Sequence, residues 1–298
     1  MMVMAFGILT ISTGSIMVRY AQGYAPSLVI AALRLFLATV VLTPMALVRR
    51  RAELAALTRR ELALAGLSGF FLSLHFAFWI ISLEYTNVAS SVVLATSTPL
   101  YVALFAPFTI RERASRTILL GIALALVGGV VVSLSDACSL NREGLLCPEV
   151  RQFFHGEAVI GDILATLAAV AAAAYVLIGR RLRAKLSLVG YITLVYGAAA
   201  MVLLVVMLAS GSSPFGYHPA AYFWILLLAL VPQLLGHSSF NWALGYTSAA
   251  LVSVALLVEP IGATLLAYIF LGETPTTLRI FGAILVLIGV YIASRGEN

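Results

Sequence analysis

Long apolar runs broken by short charged or turn-rich segments repeat along the whole chain. A run of about 20 apolar residues with few charges reads as a membrane-spanning helix. The punctuation predicts ten such spans, at approximately 2–20, 27–48, 62–83, 87–109, 117–135, 158–179, 188–209, 221–243, 248–270 and 277–294. Helices are expected because they satisfy every backbone group internally, and no stretch has the alternation of a barrel strand. Residues 2–20 read as a retained first helix. They lack a basic leader, and Arg19 and Gln22 stand where a small-residue cleavage site is expected.

Composition agrees with this pattern. The 298 residues are 62% hydrophobic and 10% charged, against about 25% charged in soluble domains. An integral membrane protein without a soluble domain is the expectation. The net charge of +6 comes from short loops, where basic residues set orientation, and does not indicate nucleic acid. With the N-terminus placed inside, the inner loops hold Arg49, Arg50, Arg51, Arg59, Arg60, Arg111, Arg113, Arg116, Arg180, Arg181, Arg183, Lys185 and Arg295. The outer segments hold Arg142, Arg151 and Arg279. This bias places both termini in the cytoplasm and the chain in the cytoplasmic membrane.

The chain also repeats itself. A shift of 161 residues maps Tyr85-Thr86 onto Tyr246-Thr247, Pro99 onto Pro260, Glu112 onto Glu273, Gly121 onto Gly282 and Gly128 onto Gly289. A shift of 162 maps His75 onto His237 and Phe78 onto Phe240. Each half has five spans, so the second half enters the membrane inverted. The loop charges agree, since Arg111, Arg113 and Arg116 become Gly272, Thr274 and Thr277. The fold expected is an all-α membrane protein of ten helices in two inverted five-helix repeats. Its units are residues 1–135, an extracytoplasmic connection over 136–157, and residues 158–298. Inverted repeats are typical of secondary transporters with sites near the midplane.

The stretches "YTSAALVSVALLVEPIGATLLAYIFLGETPTTLRIFGAILVLIGVYIAS" (246–294) and "YTNVASSVVLATSTPLYVALFAPFTIRERASRTILLGIALALVGG" (85–129), with Arg34-Leu35-Phe36, resemble the drug/metabolite transporter superfamily, EamA type. The resemblance implies alternating-access movement of small metabolites, often outward. It also implies a cavity between spans 1, 3 and 4 and spans 6, 8 and 9. The family often has Trp-Gly in helix 1, where this chain has Thr13-Gly14. The connecting loop is longer than usual.

Ionisable groups inside a membrane are costly and are functional candidates. Of twelve acids, Glu259 sits mid-span, roughly 18 Å along its helix at 1.5 Å per residue. Pro260 follows and frees the carbonyl of Leu256. Glu259 is therefore a candidate for a substrate ammonium or a coupling proton, or else a hydrogen-bonded acid fixing a helix break. Thr98 before Pro99 is its counterpart. Gln233, His237 and Asn241 recur every four residues, predicting one stripe on span 8, matched by Phe71, His75 and Trp79 on span 3. These side chains either line a cavity or bond neighbouring helices. Arg34 either meets a substrate carboxylate or buried partner, or snorkels to the interface; Arg19 reads as snorkelling.

The hydroxyls of Ser90, Ser91, Thr96 and Ser97 read as bonding within or between helices. The paired glycines read as close helix packing, and Glu112 and Glu273 as tethers of helix ends. Cys138 and Cys147 lie in the outer loop, where a disulfide is feasible and free thiols are the alternative. The function expected is a secondary transporter, not an enzyme, exporting an amino-acid-like or amphipathic small molecule. It needs no cofactor or metal; lipid, and protons for coupling, are its other partners. The chain acts as a monomer or homodimer. The rival is an intramembrane enzyme acting on lipid or peptide, but H-E-x-x-H, G-x-S-x-G and P-loop motifs are absent.

Overall fold

A computed structural model describes residues 2–86, 88–134, 139–141, 144–146, 157–271, 274 and 276–296. Over their described residues, the ten apolar stretches are largely helical. The helices are α1 (Met2–Ile11), α2 (Gly14–Gln22), α3 (Ser27–Arg49), α4 (Arg51–Ala55), α5 (Arg59–Tyr85), α6 (Val88–Ala95), α7 (Thr98–Thr109) and α8 (Arg116–Leu134). After them come α9 (Glu157–Arg183), α10 (Leu188–Ala209), α11 (Pro219–Leu228), a π-helical turn at Ala229–His237, α12 (Ser238–Ala243), α13 (Ala249–Leu256), α14 (Glu259–Leu271) and α15 (Thr277–Arg295). Strands β1 (Ser139–Asn141) and β2 (Gly144–Leu146) pair antiparallel in the connecting segment.

Among the described residues, eight helices, counting continuous neighbours together, are long and apolar enough to cross a membrane; Arg116–Val131 and Ile280–Arg295 are shorter apolar helices. The surface has the polarity lipid requires. Phe108, Leu120, Met201, Val205, Leu265 and Phe270 are exposed, while Arg34, Gln233 and Asn241 are buried. In hydrocarbon, polar groups turn inward because only protein or enclosed water can satisfy them.

Local sequence explains where helices start and break. Thr58 and Glu61 form a reciprocal capping box at the start of α5. Ser187 and Ser248 cap α10 and α13 through Gly190 N–H and Leu251 N–H. Thr98-Pro99 and Glu259-Pro260 each open a second half-helix, because proline cannot donate to the turn before it. Both breaks tighten into i+3 bonds, Ser97 N–H to Leu94 and Leu257 N–H to Val254. Pro232 sits inside the π-helical turn, where the wider winding accommodates the missing donor.

The packing is reciprocal. α5 lies along α9, and α1 and α2 lie along α11 and the π turn; α3 packs on α10, and α8 on α15. The seam between α8 and α15 is closed by glycine. A Cβ on Gly121 would stand 2.5 Å from the Gly289 carbonyl oxygen, and one on Gly128 2.7 Å from that of Gly282. Such backbone contact is available only without side chains.

Candidate functional site

The two broken helices and the π turn converge on a central cavity of about 50 Å³, space for a few waters at ~10–15 Å³ each. Its walls include Ile11 and Gly14 from the α1–α2 region, Arg34 from α3, and Leu72, His75, Phe76 and Trp79 from α5. Thr96 and Thr98 come from the first helix break, Ala172 and Tyr175 from α9, Pro232 and His237 from the π turn, and Glu259 from the second break. Apolar walls with a few convergent polar groups are the usual composition of a small-molecule site.

His75 and His237, the counterparts in the repeat, meet here with ring centroids 6.5 Å apart, edge to face. Phe76 packs edge-on against His237 at 5.1 Å. The Ala168 carbonyl accepts from Nδ1 of His75 at 3.0 Å, which places the hydrogen on that nitrogen because a carbonyl cannot donate. The Trp79 ring lies nearly parallel to that of His75, 6.5 Å away, and is buried.

Arg34 does not snorkel. It is 0% exposed, its guanidinium carbon lies 4.2 Å over the Phe76 ring, and its Nη2 donates to Oε1 of Gln233 at 3.0 Å. A cation over an aromatic face is attracted by the ring quadrupole. Arg19 is not free either, since its Nη2 donates to the Thr86 carbonyl at 2.9 Å.

Glu259 opens α14 at the cavity wall, and its backbone carbonyl accepts from Ser12 at 3.3 Å. It forms no ion pair with Arg34, although both line the cavity. Its counterpart Thr98 is 1% exposed, with its hydroxyl held by the carbonyls of Ala95 at 3.2 Å and Ala169 at 3.5 Å.

The expected stripe on span 8 divides. Of Gln233, His237 and Asn241, only His237 stands among the cavity-lining residues. The π turn winds about 4.4 residues per turn in place of 3.6, so side chains four apart drift around the axis. Gln233 reaches the site through Arg34. Asn241 instead accepts from Tyr175 at 2.5 Å and donates to Tyr196 at 3.1 Å. Tyr196 meets Ser238 at 3.4 Å, and Arg183 Nε holds the Asn241 carbonyl at 2.9 Å. Phe71 is outside the cavity wall.

Sequence reasoning missed Phe76 and Tyr175. The signal for Tyr175 was available, as a lone phenol directly after the run Ala168–Ala174. Elsewhere, Ser82 and Ser91 bond across helices at 2.6 Å, while Thr96 and Ser97 bond their own helix. The Ser90 side chain, Glu273, Cys138 and Cys147 lie outside the described residues.

The comparisons with known proteins agree with this architecture. The model of the EamA-like transporter family matches residues 1–134 and 159–295. An uncharacterized transporter of Archaeoglobus fulgidus is 26% identical over 288 residues, covering 95% of this chain and 92% of its own. A second from that organism is 23% identical over 80% of this chain and 77% of its own. One from Clostridium kluyveri is 24% identical over 85% and 78% respectively. A solved crystal structure, 19% identical, shares the fold with a TM-score of 0.76, covering 99% of this chain and 96% of its own. The chain is a membrane protein of the EamA-like transporter family.

Proposed function

We propose that this protein is a secondary transporter. It moves an amino-acid-like or amphipathic small metabolite outward across the cytoplasmic membrane by alternating access. In this reading ten helices form two inverted five-helix repeats, with both termini in the cytoplasm.

The observation that carries the reading is the central cavity. Glu259, the one acid far from any span end, lines it at a helix break together with two histidines from corresponding positions in the repeat. Reciprocal packing supports the inverted repeat: α5 on α9 has its counterpart in the π turn on α1, and α13 on α7 has its counterpart in α6 on α14. The two separate family matches and the bias of basic residues support it too. Broken helices at the midplane are the usual means of binding polar cargo in such folds. Phe76 and Trp79 receive the apolar part of the cargo, while Arg34, His75, His237 and Glu259 orient its polar groups. The halves then rock to expose the cavity on the other side, with Glu259 carrying a coupling proton.

Reconstitution into liposomes with a panel of labelled metabolites, with and without a pH gradient, tests this. Saturable movement of a solute that responds to the gradient is expected. Turnover of a lipid or peptide with no solute moved would replace transport by intramembrane catalysis.

A further inference from the structure

We infer that Arg34 and Gln233 form a receptor for an oxyanion, and that the cargo carries a carboxylate. This rests on the cavity being the transport site. Nη2 of Arg34 is taken by Gln233, but its Nε and Nη1 have no acceptor, and neither does Nε2 of Gln233. All three are buried donors; the two on Arg34 belong to a residue of the cavity wall, and Gln233 reaches the cavity through its bond to Arg34. A buried donor without an acceptor costs about 1–3 kcal/mol, and more when charged.

The neighbours do not remove that cost. Phe76 offers its face to the guanidinium, which attracts the charge but accepts no conventional hydrogen bond. Glu259 lines the same cavity without pairing to Arg34. Gln233 presents a neutral amide where a glutamate would have closed an ion pair. The result is a positive charge with no ion-paired partner and a neutral donor beside it. A carboxylate matches both, with one negative charge and acceptor sites on two oxygens. A dianion matches less well, because the Glu259 carboxyl shares the space.

The decisive variant is Gln233→Glu. It builds a carboxylate where the amide oxygen now meets Arg34, satisfies the guanidinium internally and leaves packing volume unchanged. Thermal unfolding of the purified full chain is followed with two probes sharing one apolar body, 4-methylpentanoate and isopentylamine, at equal ionic strength. The carboxylate is expected to stabilise the wild type and the amine is not. Gln233→Glu should fold at least as stably, yet need roughly tenfold more carboxylate for the same shift. An equal carboxylate response in wild type and variant, no response in either, or an equal response to the amine overturns the inference.

Uptake of labelled leucine and the wider panel separates this result from the transport reading. A carboxylate response without uptake of any solute keeps the oxyanion site and removes transport. Uptake of cationic solutes with no carboxylate response keeps transport and removes the oxyanion site.

Discussion

Nε of Arg180 stands 2.7 Å from Oε1 of Glu112, and the other oxygen of that carboxylate accepts from the Ala249 N–H at 3.3 Å. One side chain thus joins the end of α9, the loop after α7 and the start of α13. Arg180 also donates to the Leu244 carbonyl at 3.0 Å. Arg19, displaced by the repeat shift of 161, holds the Thr86 carbonyl near Gly161, toward the opposite end of α9.

The Glu112 carboxylate has two separable roles, and two substitutions part them. The ion pair is partly exposed, with side chains 27% and 31% accessible, so its charge contributes about 0–1 kcal/mol. Glu112→Gln keeps an acceptor for Ala249 and is expected to lower the unfolding midpoint only slightly. Glu112→Ala loses the helix-start bond as well and should fall further. Equal midpoints for the two variants in a detergent melt would remove the Ala249 bond from the account.

Gly121→Ala should be among the more damaging single-methyl changes. The added carbon would meet the Gly289 carbonyl oxygen at 2.5 Å and the Ala293 backbone nitrogen at 2.6 Å, neither of which can turn aside. Overpacking of this kind costs about 1–3 kcal/mol. Gly66→Ala is the control, since nothing lies within 4 Å of its Cβ position. There the better helix former should be neutral or stabilising by up to ~1 kcal/mol. Parallel thermal melts decide, and similar losses at both positions would sink the packing argument.

Asn241 is predicted to be structural. Asn241→Ala takes the acceptor from the Tyr175 hydroxyl and leaves Tyr196 only its contact with Ser238, in a buried setting, at about 1–3 kcal/mol for a buried group left unmet. Unfolding should shift strongly even in the absence of cargo. A variant as stable as the wild type, but with weaker transport, would move Asn241 into the cargo site instead.

Glu259→Gln tests coupling. The amide keeps the size and polarity of the carboxyl but carries no exchangeable charge. Wild-type uptake is expected to respond to an imposed pH gradient, and the variant to be indifferent to it while still folding. Gradient-dependent uptake that survives the substitution assigns the proton to another group.

The sequence carried the helices well because their signal is additive over many residues. The limits of α3, α5 and α10 fall within a few residues of those read from apolar runs. Both helix breaks were legible because proline acts locally, at Pro99 and Pro260. The cavity was legible only in part. His75, His237 and Glu259 stood out as polar groups in apolar surroundings. Gln233 and Asn241 stood out equally, yet one holds Arg34 and the other holds two tyrosines. The π turn that divides them packs along α1, with Gly236 close against Ile11. No periodicity in span 8 alone encodes that contact.

The glycine seam between α8 and α15 has a mechanical side. Helices that touch backbone to backbone at Gly121, Gly128, Gly282 and Gly289 have no side chains to slide past one another. One of them belongs to each matched segment of the chain. If the halves rock, this seam is the natural spine: it sits outside the cavity wall, and a hinge there would leave the cargo side as the free edge of the fold.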